Sequence, residues 1–229
     1  MEARLASETD LAGFREEVRL LLRQQVPPEA VHWQTAVAQN SDLFADPAAP
    51  EVQRRDVPKA ASAIVPASFL RLCEVVVLHH DPQRFALLYR LLWRLVHEPG
   101  LRNDPIDPDM LHAHQMAQSV RRDLHKMKAM LRFRATPDGR GGAIQLAWFE
   151  PAHHILEAVA PWFATRSPHR WAIVTPERSV EGDGHQLHYA PGSPRARVPS
   201  ADASDDAWLA WYRAAFAGRP VPAQDAPAS

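Results

Sequence analysis

The sequence predicts an α+β fold with a mostly antiparallel sheet, and three observations carry that prediction. Apolar residues recur at helical spacing in several long stretches, while short stretches around 131–148 and 171–189 alternate with period two. The alternating stretches are joined by turn-forming residues, Pro137-Asp138-Gly139 and Asp183-Gly184, which suit antiparallel hairpins. Hydrophobic residues make up 46% of 229, enough to bury a real core. The expected arrangement is a single domain over residues 1–216, with a helical hairpin and a long basic helix packed on the sheet, and a disordered tail over 217–229.

Met1 to Ala6 suits an edge strand. Asp10 then caps a helix carrying Leu11, Phe14, Val18 and Leu21 on one face, and Pro27-Pro28 stops it. Val31 to Trp33 reads as a strand. Residues 34–60, rich in Ala, Asp, Pro and Asn, read as a long connection with Phe44 as its only anchor. A helix starting near Pro66 carries Phe69, Leu70, Cys73, Val76 and Val77 as far as His79-His80. Asp81-Pro82 opens the next, with Phe85, Leu88, Leu92 and Leu95 inward, so the two form an antiparallel hairpin. Asp107-Pro108 starts a long helix to about Met130, with Ala113, Met116, Val120, Leu124 and Met127 as its buried stripe. Leu131, Phe133 and Ala135 then alternate with Arg132 and Arg134 as a half-buried strand, and Ile144, Leu146 and Trp148 return. A helix over 152–165, a strand over 171–175, a strand over 187–189 and an amphipathic helix within 200–216 complete the chain. In that last helix Trp208, Leu209, Trp211, Tyr212 and Phe216 supply apolar surface, and Trp171 and Trp208 are expected to be buried.

Composition narrows the function. Net charge is -1 and the pI is near 6.9, so a polyanion would be held by a local patch rather than by overall charge. A single cysteine, Cys73, excludes a disulfide framework, a multi-cysteine zinc site and a cysteine-ligated iron–sulfur cluster within the chain. The N-terminal residues lack the apolar core of a signal peptide, and no run of about 18 uncharged apolar residues occurs. A cytoplasmic protein without membrane contact is expected.

The patch is present between Arg121 and Arg140, where seven Lys or Arg stand against two Asp, a local charge of +5. Helical spacing aligns His114, Gln118, Arg121, His125 and Lys128 on one face. Arg122 and Lys126 flank that face, and Arg132 and Arg134 are expected to continue it on the open side of the following strand. Such a surface tracks phosphates. Arg90 and Arg94, one helical turn apart, extend the basic set, and Trp93, Trp148 and Phe149 are candidate stacking platforms for single-stranded or extruded bases. The competing reading is a solvated helix face with ordinary ion pairs.

For chemistry the best candidate is Glu150-Pro151-Ala152-His153-His154, a strand end running into a proline-initiated helix. There Glu150 would act as base and His153 or His154 as acid or phosphate ligand, with His125 and Lys126 as further candidates. Capping and packing are the plainer alternative. His79-His80 invites a metal, but no His-x-x-x-His pair is backed by a carboxylate in a recognisable ligand pattern, so neither metal nor other cofactor is predicted.

Four motifs carry a family resemblance: Asp81 to Leu95, Val120 to Arg134, Ala147-Trp148-Phe149-Glu150-Pro151-Ala152-His153-His154-Ile155, and Arg170 to Ser179. Through them the chain resembles a bacterial domain of unknown function met in two settings. It occurs alone beside a radical SAM protein associated with DNA modification, and fused ahead of a UdgX-type uracil-DNA glycosylase. The resemblance spans about Leu11 to Phe216 and implies an association with DNA repair or modification, with DNA, a glycosylase-like domain or a radical SAM protein as partners. It supplies no reaction and no catalytic residue. The family pattern continues its last helix into a basic segment, whereas here Phe216 is followed by Ala217-Gly218-Arg219-Pro220. A stand-alone or shortened member and a chain lacking its glycosylase domain both fit. Neither a glycosylase pocket nor a radical SAM cysteine triplet is in this sequence. Three functions follow as expectations: an accessory module that binds DNA or nucleotides through the basic helix and strand, an enzyme using Glu150 and His153, and a docking domain for one of those partners.

Overall fold

The computed structural model describes residues 1–36, 65–98, 100–101, 104, 106–138, 141–184 and 186–217. Phe44, most of the 34–60 connection and the tail beyond Ala217 therefore lie outside the described residues. The chain divides into two compact units. One comprises Met1–Asp123 with Ala152–His154, and the other Leu124–Pro151 with the described residues from Ile155 onward.

The first unit is helical. Strand β1 (Glu2–Leu5) pairs in parallel with β2 (His32–Thr35), Glu2 opposite His32. Between them runs α1 (Leu11–Arg23), whose cap is the expected one: Asp10 accepts the Gly13 N–H at 2.8 Å. Helices α2 (Ala67–Val76) and α3 (Arg84–His97) follow at the expected places. Phe14, Val18 and Leu21 of α1 share one core with Phe69, Leu72 and Cys73 of α2 and Phe85, Leu88 and Leu92 of α3. The Tyr89 hydroxyl reaches the core edge and donates to the Val26 carbonyl at 2.6 Å. Cys73 is 3% exposed, and burial pushes its thiol up to about 12. The long helix α4 (Pro108–Met130) begins where Asp107 accepts the Met110 N–H at 2.9 Å. Ala113, Met116, Val120 and Met127 of its expected stripe are buried, and Leu124 is half-buried.

The second unit is built on a five-stranded sheet in sequence order: β3 (Arg134–Pro137), β4 (Ala143–Trp148), β5 (Trp171–Val174), β6 (Arg178–Gly182) and β7 (Leu187–Pro191). All neighbours are antiparallel except β4 and β5, whose parallel pairing needs the crossover through α5 (Leu156–Ala164). The last helix, α6 (Asp205–Ala215), is capped by Ser204. Its Trp208, Leu209, Trp211 and Tyr212, with Phe216 beyond its end, pack with Ile144, Leu146, Ala172 and Val174. Trp171 is fully buried against Phe133 and Phe163, and a Cβ at Gly182 would fall 2.5 Å from its indole, so only glycine fits there.

The α+β class and the mostly antiparallel sheet are as expected, and β6 is the arm that enters the hairpin expected at Asp183-Gly184; two local expectations are not met. The helix expected from Ala152 begins at Leu156. The strand after α4 begins at Arg134, and its alternation is shifted by one. Opposed residues of an antiparallel pair point to the same face, so pairing with buried Ile144 turns Thr136 inward and leaves Ala135 exposed.

Candidate functional site

The basic helix face is present on α4. Arg121, Arg122, His125, Lys126 and Lys128 are all exposed. At ~100° per residue they occupy an arc of about 160°. The only acidic residue within that run, Asp123, lies off the arc and is 6% exposed; it accepts the N–H of Ala152 at 2.8 Å and of His153 at 3.0 Å. Its carboxylate is thus spent on two backbone amides, and among the described residues no carboxylate pairs with Arg121, Arg122, Lys126 or Lys128. Arg122 reaches only the Gln118 carbonyl, and Lys128 stands 5.5 Å over the Trp162 ring. Arg132, also exposed, donates to the carbonyls of Ala129 and Leu131.

The other predicted cations are engaged elsewhere. Arg90 holds Asp109 in a two-pronged pair at 2.9 and 2.7 Å, and Arg94 bridges Asp107 at 2.7 Å, Asp109 at 3.2 Å and Glu98 at 3.1 Å. Arg134 is opposite buried Leu146, so it points to the face that α6 covers and not to an open strand face. There it donates to the Ala201 and Ala203 carbonyls at 2.7 and 3.1 Å and pairs with Asp205 at 3.0 Å. Of the stacking candidates, Trp93 is half-buried with His97 stacked 4.2 Å away, Trp148 is half-buried beneath Arg195, and Phe149 is half-buried. The aromatic residues of α6 are buried in the second unit's core, so they offer no docking surface for a partner.

Sequence reasoning did not foresee a second constellation, which lies wholly within the first unit. The turn between α2 and α3 carries His79 and His80, and the bend at 152–154 carries His153. Their ring centres lie 4.6 Å (79 to 80), 4.4 Å (79 to 153) and 5.0 Å (80 to 153) apart. Nδ1 of His80 is 3.1 Å from Nδ1 of His153, and one ligating atom from each of the three rings lies within 4.8 Å of the others. His79 and His153 are buried and His80 is exposed.

The surroundings fix these rings. The His153 Nε2 is 2.8 Å from the Ser119 hydroxyl, one helical turn before Asp123, so α4 holds both the ring and the backbone of His153. The His80 N–H points to Nδ1 of His153 at 3.3 Å, and the Asp81 N–H donates to Nδ1 of His79 at 3.1 Å. The turn is fastened by Arg84, which is 1% exposed. It donates to the Val77 carbonyl at 2.9 Å, the Asp81 carbonyl at 2.9 Å and the Glu8 carbonyl at 2.7 Å, and pairs with the Glu8 carboxylate at 2.5 Å. The His154 N–H donates to the Leu78 carbonyl at 2.9 Å, joining the bend to the turn. Burial, with the neighbouring rings His153 and His80, pulls His79 down to about 4, and burial also lowers His153. Both shifts favour the neutral ring.

The catalytic candidates divide accordingly. Glu150 is exposed. His153 belongs to the histidine cluster, and the half-buried His154 side chain lies 3.9 Å from the Glu8 carboxylate. The backbone amides of 152 and 153 are not open to a ligand, because Asp123 accepts both. What the sequence offered was two adjacent-histidine pairs; nothing in it brings together residues 73 positions apart.

One family model, described as a domain of unknown function (DUF4130), matches residues 82–219. No curated protein and no solved structure matches the chain.

Proposed function

The chain belongs to the DUF4130 family of domains of unknown function, and from that premise we propose that it is a nucleic-acid-binding accessory module of DNA repair or modification. It holds single-stranded or damaged DNA through Arg121, Arg122, Lys126, Lys128 and Arg132, with His125 among them. The observation that carries this reading is the inward turn of Asp123, which leaves the exposed arc of α4 from Arg121 to Lys128 without a carboxylate. A basic face without interleaved acids meets phosphates rather than a self-contained lattice of ion pairs. Arg90, Arg94 and Arg134 drop out of the contact set, since their guanidinium groups already hold carboxylates. The link to repair or modification, and a glycosylase-like or radical SAM partner, rest on the resemblance of the sequence motifs.

The test is fluorescence anisotropy with labelled single-stranded, duplex and abasic oligonucleotides at low salt. The triple variant Arg121→Ala, Arg122→Ala, Lys126→Ala is expected to lose at least about tenfold in affinity, whereas Arg213→Ala, an exposed cation on α6, keeps it. Absence of binding by the wild-type chain at low salt would overturn the reading, as would equal loss in Arg213→Ala.

A further inference from the structure

We propose that His79, His80 and His153 form a binding site for one divalent metal ion of the imidazole-preferring class, with zinc the first choice. Two nitrogens each about 2.0 Å from a tetrahedral zinc lie about 3.3 Å apart, and the facing Nδ1 atoms of His80 and His153 are 3.1 Å apart. Imidazole rings bound to one such ion have centres about 5 Å apart, against the 4.4 to 5.0 Å measured among these three. His153 also has the outer support that a ligating histidine needs. Its Nε2–H is taken by the Ser119 hydroxyl at 2.8 Å, which turns the Nδ1 lone pair to the cluster, where it now meets the His80 N–H at 3.3 Å that a metal would displace.

His79 completes the set by a small change. Its Nδ1 now accepts the Asp81 N–H, and a metal there displaces that amide. Among the described residues no carboxylate belongs to the cluster: Asp123 is committed to the amides of Ala152 and His153, and Asp81 accepts the Gln83 N–H. The site is thus three imidazole nitrogens, suited to zinc, nickel or copper rather than to magnesium or calcium. Exposed His80 opens it to solvent, so water takes the remaining position.

The test uses the full chain stripped with a chelator and titrated with Zn²⁺ against a chromophoric competitor, with Co²⁺ absorption as the spectroscopic readout. One equivalent is expected to bind. His80→Ala, an exposed position that leaves the core untouched, is expected to weaken binding at least about tenfold, and Ser119→Ala, a positioning change, by about 10- to 100-fold. His112→Ala, an exposed histidine on α4, is expected to leave binding unchanged. Circular dichroism of each variant confirms folding. Stoichiometry well below one, or affinity unchanged in His80→Ala, overturns the site and leaves a hydrogen-bonded histidine cluster. Nucleic-acid binding by the same variants is read separately, so loss of one property does not decide the other.

Discussion

At the scale of single residues the least expected side chain is Arg84, fully buried and forming four hydrogen bonds at the α2–α3 turn. In the sequence it looks like any polar residue at a helix start, because its partners Val77 and Glu8 are 7 and 76 positions away. Arg84→Met removes all of these bonds and leaves the Glu8 carboxylate without its guanidinium, and is expected to cost about 3 kcal/mol, measured as a fall in the denaturant midpoint. Arg84→Lys should recover little, because an ammonium lacks the planar fork. Acid acts through the same pair. Burial alone would raise the Glu8 carboxyl, but hydrogen bonds from Thr35 and Arg84 and the guanidinium charge outweigh it and hold the group below its ordinary 4.5. A folded-state pKa below the unfolded one gives stability that is full above about pH 4.5 and is lost as pH falls through the folded value. The wild-type midpoint should therefore drop on acidification below that point, and Arg84→Met should show a shallower drop.

Between elements, an electrostatic joint runs from α3 to the start of α4. Asp107 caps α4 through one oxygen and accepts Arg94 through the other, and the Arg94 hydrogen bond holds its carboxyl below the ordinary value. Asp107→Ala loses a cap, about 1 kcal/mol, and also leaves Arg94 to its two more exposed partners. Asp109→Ala loses pairs with Arg90 and Arg94 that are nearer solvent, and should cost less than about 1 kcal/mol. Thermal unfolding of the two variants gives the order directly, and an equal loss in both would place the joint elsewhere. Most of the helices were legible because their periodicity and caps are local: Asp10, Asp107-Pro108 and the stripes of α1, α3 and α4 can be read within a few turns. The shift in β3 was not legible, since a four-residue strand takes its facing from its partner, and only the Thr136 to Ile144 register decides it.

For the whole molecule, the candidate sites separate into one that sequence could locate and one that only folding creates. The basic arc is local to one helix, so charge counting found it; what remained hidden was that Asp123 turns away and that Arg90, Arg94 and Arg134 are already paired. The histidine cluster depends on His80 meeting His153 across the fold, a contact that no spacing rule encodes. Because the net charge is -1, distant acids do not assist a polyanion, and binding should depend steeply on salt. Five cations on a single strand give a log–log slope of about -3.5, and Arg121→Ala should flatten it by about 0.7. A slope near zero would mean that the contacts are not to phosphates.

Cys73 turns the helical core into its own clock. A single thiol held at 3% exposure and pushed up to about 12 is expected to react slowly with a disulfide reagent, and faster whenever α2 lifts away from α1 and α3. The rate of colour release from unmodified protein therefore reports how often that layer opens, without a label, a tag or a substitution. Arg84→Met, which loosens the turn at the end of α2, should quicken it.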